Sequence, residues 1–156
     1  MKEYICKIGT IHDVIRRYDN DIKEEKNNEL NDKRIAYYLE KNNIIIGKIF
    51  AILDKNMCEI LEDNSAYLFS FEMKEEYRNK GLFTKLYRFA ENDLKNRGIT
   101  KLILSVEDNE TGNNNLKIYN HYGYNTFVKS SIEIEELENK ENEYITYKIN
   151  YYKKDI

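Results

Sequence analysis

The spacing of hydrophobic and polar positions changes several times along the chain, and each change predicts an element. Tyr4 to Ile8, a short run rich in Tyr and Ile, predicts an opening strand closed by Gly9. Apolar residues then recur at Ile11, Val14, Ile15, Tyr18 and Ile22, a helical spacing, and Asp13 follows Thr10 by three positions as in a capping box with a shorter acid. Lys23 to Lys33 turns polar and charged, a pattern compatible with a continued helix, a second short helix or a loop. Ile35 to Leu39 and Ile44 to Leu53, rich in β-branched and aromatic residues, predict neighbouring antiparallel strands joined at Lys41-Asn42-Asn43, where Asn suits a turn that needs positive φ. Asp54 to Ser65 holds turn formers together with Met57, Cys58, Ile60 and Leu61, and reads as a loop or as an extension of the sheet edge.

The most informative stretch runs from Phe69 to Leu94, FSFEMKEEYRNKGLFTKLYRFAENDL. The strand Ala66 to Met73 passes through a charged turn ending in Arg78-Asn79-Lys80-Gly81 into a helix. Leu82, Phe83, Leu86, Ala90 and Leu94 form its apolar stripe, and Lys85, Arg88, Asn92 and Lys95 line another side. Backbone N–H groups in the first turn of a helix lack internal partners and carry partial positive charge, so this entry suits an anion such as a phosphate. A solvated glycine turn with basic neighbours is the alternative reading of such a short motif. Arg97-Gly98 stops the helix, and Leu102, Ile103, Leu104 and Val106 predict a buried strand. Together these make a βαβ unit with a right-handed crossover and parallel strands. Glu107 to Asn115 reads as a polar loop and Leu116 to Tyr122 as a short helix ended by Gly123. Thr126 to Ile134, and the alternation of Ile145, Tyr147, Ile149 and Tyr151 with polar residues, predict two closing antiparallel strands.

The 156 residues contain no proline-, glycine- or serine-rich linker and fit one domain spanning 1–156. No apolar run approaches the roughly 18 residues of a membrane span. The N-terminal MKEYICKIG lacks the apolar core and cleavage site of a secretory signal, so the expected location is the cytoplasm. A net charge of −3 argues against general attraction to nucleic acid or an anionic membrane. Cys6 and Cys58 have no ligand-like or paired spacing, so neither a metal site nor a disulfide framework is expected.

The element order together with three segments resembles the GNAT superfamily of acetyl-CoA-dependent N-acetyltransferases. FEMKEEYRNKGLFTKLY looks like that superfamily's cofactor signature R/Q-x-x-G-x-G/A, LILSV is the strand that follows it, and LKIYNHYGY is similar to its L-Y-x-x-x-G-F/Y segment. The resemblance implies an α/β domain with a mostly antiparallel, twisted central sheet of about six to seven strands, a central parallel pair and flanking helices. It implies that Arg78, Asn79, Lys80, Gly81, Leu82, Phe83 and Thr84 hold the pyrophosphate of acetyl-CoA, mostly through backbone N–H groups. It also implies that the backbone from Phe71 to Met73 pairs with the pantetheine arm where this strand splays from the next. Met73 is then the first candidate for the N–H that stabilises the acyl oxygen, Tyr119 for protonating the departing thiolate, and Glu72 for accepting the acceptor's proton, each against the plainer alternative of a packing or surface residue. His12 and His121, at helix ends, receive no role.

Two departures carry expectations. The last signature position is Phe83 instead of Gly or Ala, which implies a wider loop or a displaced phosphate. The asparagine that the superfamily places seven residues before the tyrosine corresponds to Gly112, leaving Asn109 or Asn113 for cofactor contact and helix capping; Asn113 is taken as the cofactor contact. The implied activity is acetyl transfer from acetyl-CoA to a primary amine of a small-molecule or peptide acceptor, with a homodimer as the assembly. The competing classes are a non-catalytic acyl-CoA-binding or regulatory module on the same fold and, less compatible with the acidic balance, a nucleic-acid binder.

Overall fold

The computed structural model describes residues 3–19, 33–137 and 141–156. The chain forms two compact units, residues 1–100 with Ile156, and residues 101–155. The expected continuation of the first helix to Ile22 and nearly all of the Lys23 to Lys33 segment lie outside the described residues.

The first unit contains β1 (Tyr4–Gly9), α1 (Ile11–Tyr18), β2 (Arg34–Lys41), β3 (Ile44–Ile52), β4 (Ser65–Met73), a single 3-10 turn (Glu75–Tyr77) and α2 (Leu82–Asn96). Its strands pair in sequence order, each antiparallel to the next. Asn42 and Asn43 both take positive φ, 53° and 64°, as the β2–β3 turn requires. Asp54 to Asn64 is turn and loop with no strand, which settles the open choice there. The Thr10 hydroxyl oxygen accepts from the Asp13 N–H at 3.2 Å, so the predicted cap forms, while the Asp13 carboxylate turns to Arg16 and Arg17.

The helices pack on opposite faces of this sheet. Ile11 and Val14 of α1 join Ala36, Tyr38 and Phe50 in one core cluster. On the α2 side Leu86, Ala90 and Leu94 are fully buried, and the buried Tyr37 packs edge-on against Phe89 and donates its hydroxyl to Asp93 at 2.6 Å. The alternation of Tyr37 and Tyr38 thus assigns each tyrosine of β2 to a different helix.

One ion-pair network fixes the far end of β2. Glu40 is buried and its carboxylate meets Arg17 of α1 and Lys7 of β1, the latter at 2.7 Å. Burial by itself would raise the Glu40 pKa, but the hydrogen bonds and charges of Lys7 and Arg17 overcome it and hold the group below its ordinary value near 4.5. A depressed folded-state pKa contributes stability that is present above the ordinary value and is lost as the pH falls through and below it. Glu40→Gln leaves two cations facing each other across a buried site. The expected loss in urea unfolding at pH 7 is roughly 2 kcal/mol, less than for a fully buried pair because Arg17 and Lys7 keep access to water. The difference from the parent should shrink toward pH 3, and a variant as stable as the parent at pH 7 would contradict this role.

The second unit contains β5 (Lys101–Glu107), α3 (Glu110–His121), β6 (Thr126–Glu136) and β7 (Tyr144–Asp155), with β7 between β5 and β6 and both pairs antiparallel. The expected polar loop from Glu107 to Asn115 is a correction: α3 begins at Glu110, six residues before the predicted Leu116. The Asn109 side chain accepts from the Gly112 N–H at 2.7 Å and nucleates the helix at that point, which outweighs the poor intrinsic helix preference of Gly112 and the asparagines after it. Both closing strands also run longer than predicted.

Candidate active site

In the first unit the structure builds an anion-binding helix entry. Gly81, at φ 73°, is the N-cap of α2, and a Cβ placed there would meet nothing within 4 Å, so the approach to the backbone is open. Asn79 also takes positive φ, 61°. The ladder of α2 starts with the Lys85 N–H donating to the Gly81 carbonyl at 3.3 Å, which leaves the N–H groups of Leu82, Phe83 and Thr84 outside it. Lys80 lies against the Tyr77 ring at 5.7 Å. Arg78 turns back, its Nε donating to the Met73 carbonyl at 2.8 Å, so part of its guanidinium serves to fix the end of β4.

Phe83, the departure from Gly or Ala, points away from this entry. Its ring lies 6.1 Å from that of Phe71 on β4 and 6.4 Å from that of Tyr87 on the next turn of α2. The aromatic side chain therefore contributes to the packing between helix and strand.

β4 carries a bulge. Phe69 pairs with Phe50 and Glu72 with Lys48, so three steps on β4 match two on β3, and Ser70 takes φ 57° to absorb the extra residue. After the bulge the Lys74 N–H donates to the Ile46 carbonyl at 2.8 Å. By the alternation of an antiparallel ladder, Glu72 and Lys74 direct their main-chain groups at β3, and Phe71 and Met73 direct theirs away from it. Phe71 packs toward α2 and the exposed Glu72 toward α1, the alternation of neighbouring strand residues. The Glu72 carboxylate lies 3.6 Å from the ammonium of Lys48, itself buried.

In the second unit a cavity of about 410 Å³ opens between β5, α3 and β7, and Tyr119 lines it together with Asn109, Thr111, Asn115 and Tyr147. Burial pushes the Tyr119 phenol up to about 12, so it keeps its proton through the physiological range. Its ring meets that of the fully buried Tyr124 edge-on at 6.5 Å. Gly112 sets the helix in place: a Cβ there would fall 1.7 Å from the Glu107 carbonyl oxygen, so only glycine allows α3 to start this close to β5. Of the two asparagines considered for capping, Asn109 is the cap. Asn113 lies exposed in the first turn and is not part of the cavity lining.

Sequence reasoning missed Lys48, Thr111, Asn115 and Tyr147. Only Lys48 had a visible signal, as the single charge in the otherwise apolar strand IIIGKIFAI.

A glycine-entered helix after a bulged strand, among mainly antiparallel strands, defines an α/β protein with an anion-binding helix entry. The sequence profile described as the acetyltransferase (GNAT) family matches residues 8–124, and the chain belongs to that family. Solved structures agree on the fold. The ribosomal-protein-S18-alanine N-acetyltransferase of Escherichia coli matches with a TM-score of 0.64 at 14% identity, over 99% of this chain and 94% of that one. Arabidopsis thaliana NAA60 in complex with acetyl-CoA gives 0.66 at 13% identity, over 99% of both chains. A GNAT family acetyltransferase from Elizabethkingia anophelis with acetyl-CoA bound gives 0.59 at 16% identity, over 98% of both. No curated protein matches the chain. Among the described residues, no helix is long and apolar enough to cross a membrane.

Proposed function

We propose that the protein transfers the acetyl group of acetyl-CoA to a primary amine by direct attack within a ternary complex. The observation that carries this reading is the open helix entry at Gly81, whose outward N–H groups fit the pyrophosphate of the donor the family uses. When bound, acetyl-CoA supplies an activated acyl group as a thioester.

The backbone of Arg78, Asn79, Lys80, Gly81, Leu82, Phe83 and Thr84 holds the pyrophosphate, and the outer main-chain groups of Phe71 and Met73 align the pantetheine arm as an added strand would. The Met73 N–H, directed away from β3, stabilises negative charge on the acyl oxygen. Glu72 takes a proton from the acceptor ammonium, freeing the lone pair that forms the new nitrogen–carbon bond. The carbon–sulfur bond breaks with its electron pair on sulfur, and Tyr119 donates to that sulfur. Overall the nitrogen loses two protons, of which one ends on the thiol and one in solvent. A phenol near 12 facing a thiol of ordinary pKa about 8.5 is the weaker acid by about 3.5 units, so Tyr119 acts mainly as a hydrogen-bond donor to the developing thiolate, with full transfer completed from solvent. Asn113 is retained as a contact for the cofactor, with Asn109 in the capping role.

The enzyme works in the cytoplasm on a small-molecule or peptide amine. A homodimer through the late strands is supported by Ile132 and Ile134, which are exposed on β6, the outer strand of its unit. The test is release of free thiol from acetyl-CoA with a panel of primary amines. Amine-dependent release is expected; saturable acetyl-CoA binding with no release for any amine would favour the non-catalytic acyl-CoA-binding module.

A further inference from the structure

On the α1 face of β3 and β4, three charged side chains, Lys48, Glu72 and Lys74, converge on one phenol. The Tyr18 ring, at the end of α1, has the Lys48 ammonium 5.2 Å from its centroid and the Lys74 ammonium also at 5.2 Å. Its hydroxyl is hydrogen-bonded with Glu72, and burial and that carboxylate together push the phenol up to about 12. Lys48 is secured from below by the Ser70 hydroxyl in the bulge and by the Phe50 ring at 4.9 Å. An ammonium buried in an apolar strand is costly unless its partners are fixed, and Lys48 has Ser70 in the bulge, Glu72 and Phe50 beside it and the Tyr18 ring of α1. Asp19 and Arg78 complete the charges acting on Tyr18.

Glu72 and Lys74 sit two residues apart at the end of β4, and their common contact with Tyr18 puts them on one face. Glu72 is solvent-exposed and Lys74 partly so, with Lys48 held beneath. The result is an anion and a cation on residues whose Cα atoms lie about 7 Å apart along the strand, with an aromatic wall of Phe69 stacked on Tyr67 at 5.8 Å continuing beside them. We propose that this face takes the acceptor, and that the acceptor is a zwitterion of the α-amino-acid class: Glu72 receives the ammonium that becomes the nucleophile, and Lys74, backed by Lys48, receives the carboxylate. An α-amino acid fits a spacing of this order when each of its two charged ends makes one hydrogen bond. A polyamine would bring several cations against two ammonium groups and only one of its charges would find Glu72. This rests on the acetyltransferase reading.

The test compares phenylalanine, phenylalaninamide and spermidine as acceptors with acetyl-CoA, in the parent, Lys74→Met and Glu72→Gln. Calorimetric binding of phenylalanine to the CoA complex is measured alongside. The expected result is a kcat/KM for phenylalanine at least about tenfold above that for the amide, carried by KM and removed by Lys74→Met. The amide has the less basic amine and so more free nucleophile at neutral pH, which biases the comparison against the expectation. Amide equal to acid, or spermidine preferred, overturns the inference and leaves the acetyltransferase reading intact. Phenylalanine that binds in a Lys74-dependent manner without being acetylated upholds the zwitterion site, and thiol release across the panel of primary amines then decides the transferase reading. Neither binding nor transfer overturns the inference. Lys74 is partly exposed and its replacement does not disturb the core, so the test does not depend on the folding of a Lys48 variant.

Discussion

Gly112→Ala is expected to lower the melting temperature by about 10 °C and to remove most turnover. The added methyl would lie 1.7 Å from the Glu107 carbonyl oxygen, 2.7 Å from its carbon and 3.0 Å from its nitrogen, where ordinary contact begins at 3.4 Å. All three are main-chain atoms, so no side-chain rotation relieves the overlap; the first turn of α3 must move off β5. Overpacking against main-chain atoms this close costs roughly 4 kcal/mol, above the usual range of about 1–3 kcal/mol. Replacing a helical glycine by alanine returns about 1 kcal/mol. The net of about 3 kcal/mol converts to about 10 °C for a chain of this size. Because Tyr119 lies two turns further along the same helix, the shift also displaces the phenol, and a misplacement near 1 Å is worth about 10²-fold in rate. Asn114→Ala, at an exposed position of the same helix, should be neutral or slightly stabilising. A Gly112→Ala protein melting within 2 °C of the parent would show that α3 does not rely on this close approach.

Tyr119→Phe is the second large effect. It deletes one oxygen from the lining of the cavity while keeping the ring against Tyr124, so folding and acetyl-CoA affinity should change little. Turnover should fall by about 10²-fold, the lower end of what a positioned acid contributes, because a phenol near 12 stabilises a thiolate by hydrogen bonding more than by giving up its proton. The same raised pKa predicts that parent activity shows no alkaline loss from this group below about pH 10, since the phenol is ionised only toward pH 12. Equal kcat in parent and variant would make Tyr119 a packing residue and would direct the search for the acid elsewhere.

How much of this was visible in the sequence depended on whether the controlling interaction was local. The Asn42-Asn43 turn, the Thr10 cap, the Gly98 stop and the glycine entry to α2 are each set by residues within a turn of one another, and all four stand where the pattern predicted. The start of α3 is not legible in the spacing, because Asn109 and Asn113 compete for the cap and the run Gly112-Asn113-Asn114-Asn115 has low helix preference. A single side-chain cap and a strand packed too closely for any Cβ decide that segment, and the second of these cannot be seen from spacing. Phe83 stands where the superfamily signature has Gly or Ala, and a signature records position and not direction; its ring packs with Phe71 and Tyr87. The group around Tyr18 was invisible for a related reason. Its members come from α1, β3 and β4, and they meet only because a one-residue bulge at Ser70 turns Glu72 toward Lys48.

The central claim is that the Gly81 entry and the outer edge of β4 bind acetyl-CoA. Calorimetric titration of the purified protein with acetyl-CoA, with CoA and ATP as controls, tests it most directly. The account predicts saturable binding at one site, shared by acetyl-CoA and CoA and much weaker for ATP, which carries phosphates for the helix entry but no pantetheine arm to align along β4. Absence of binding by either CoA compound, or ATP binding as tightly as acetyl-CoA, would contradict it.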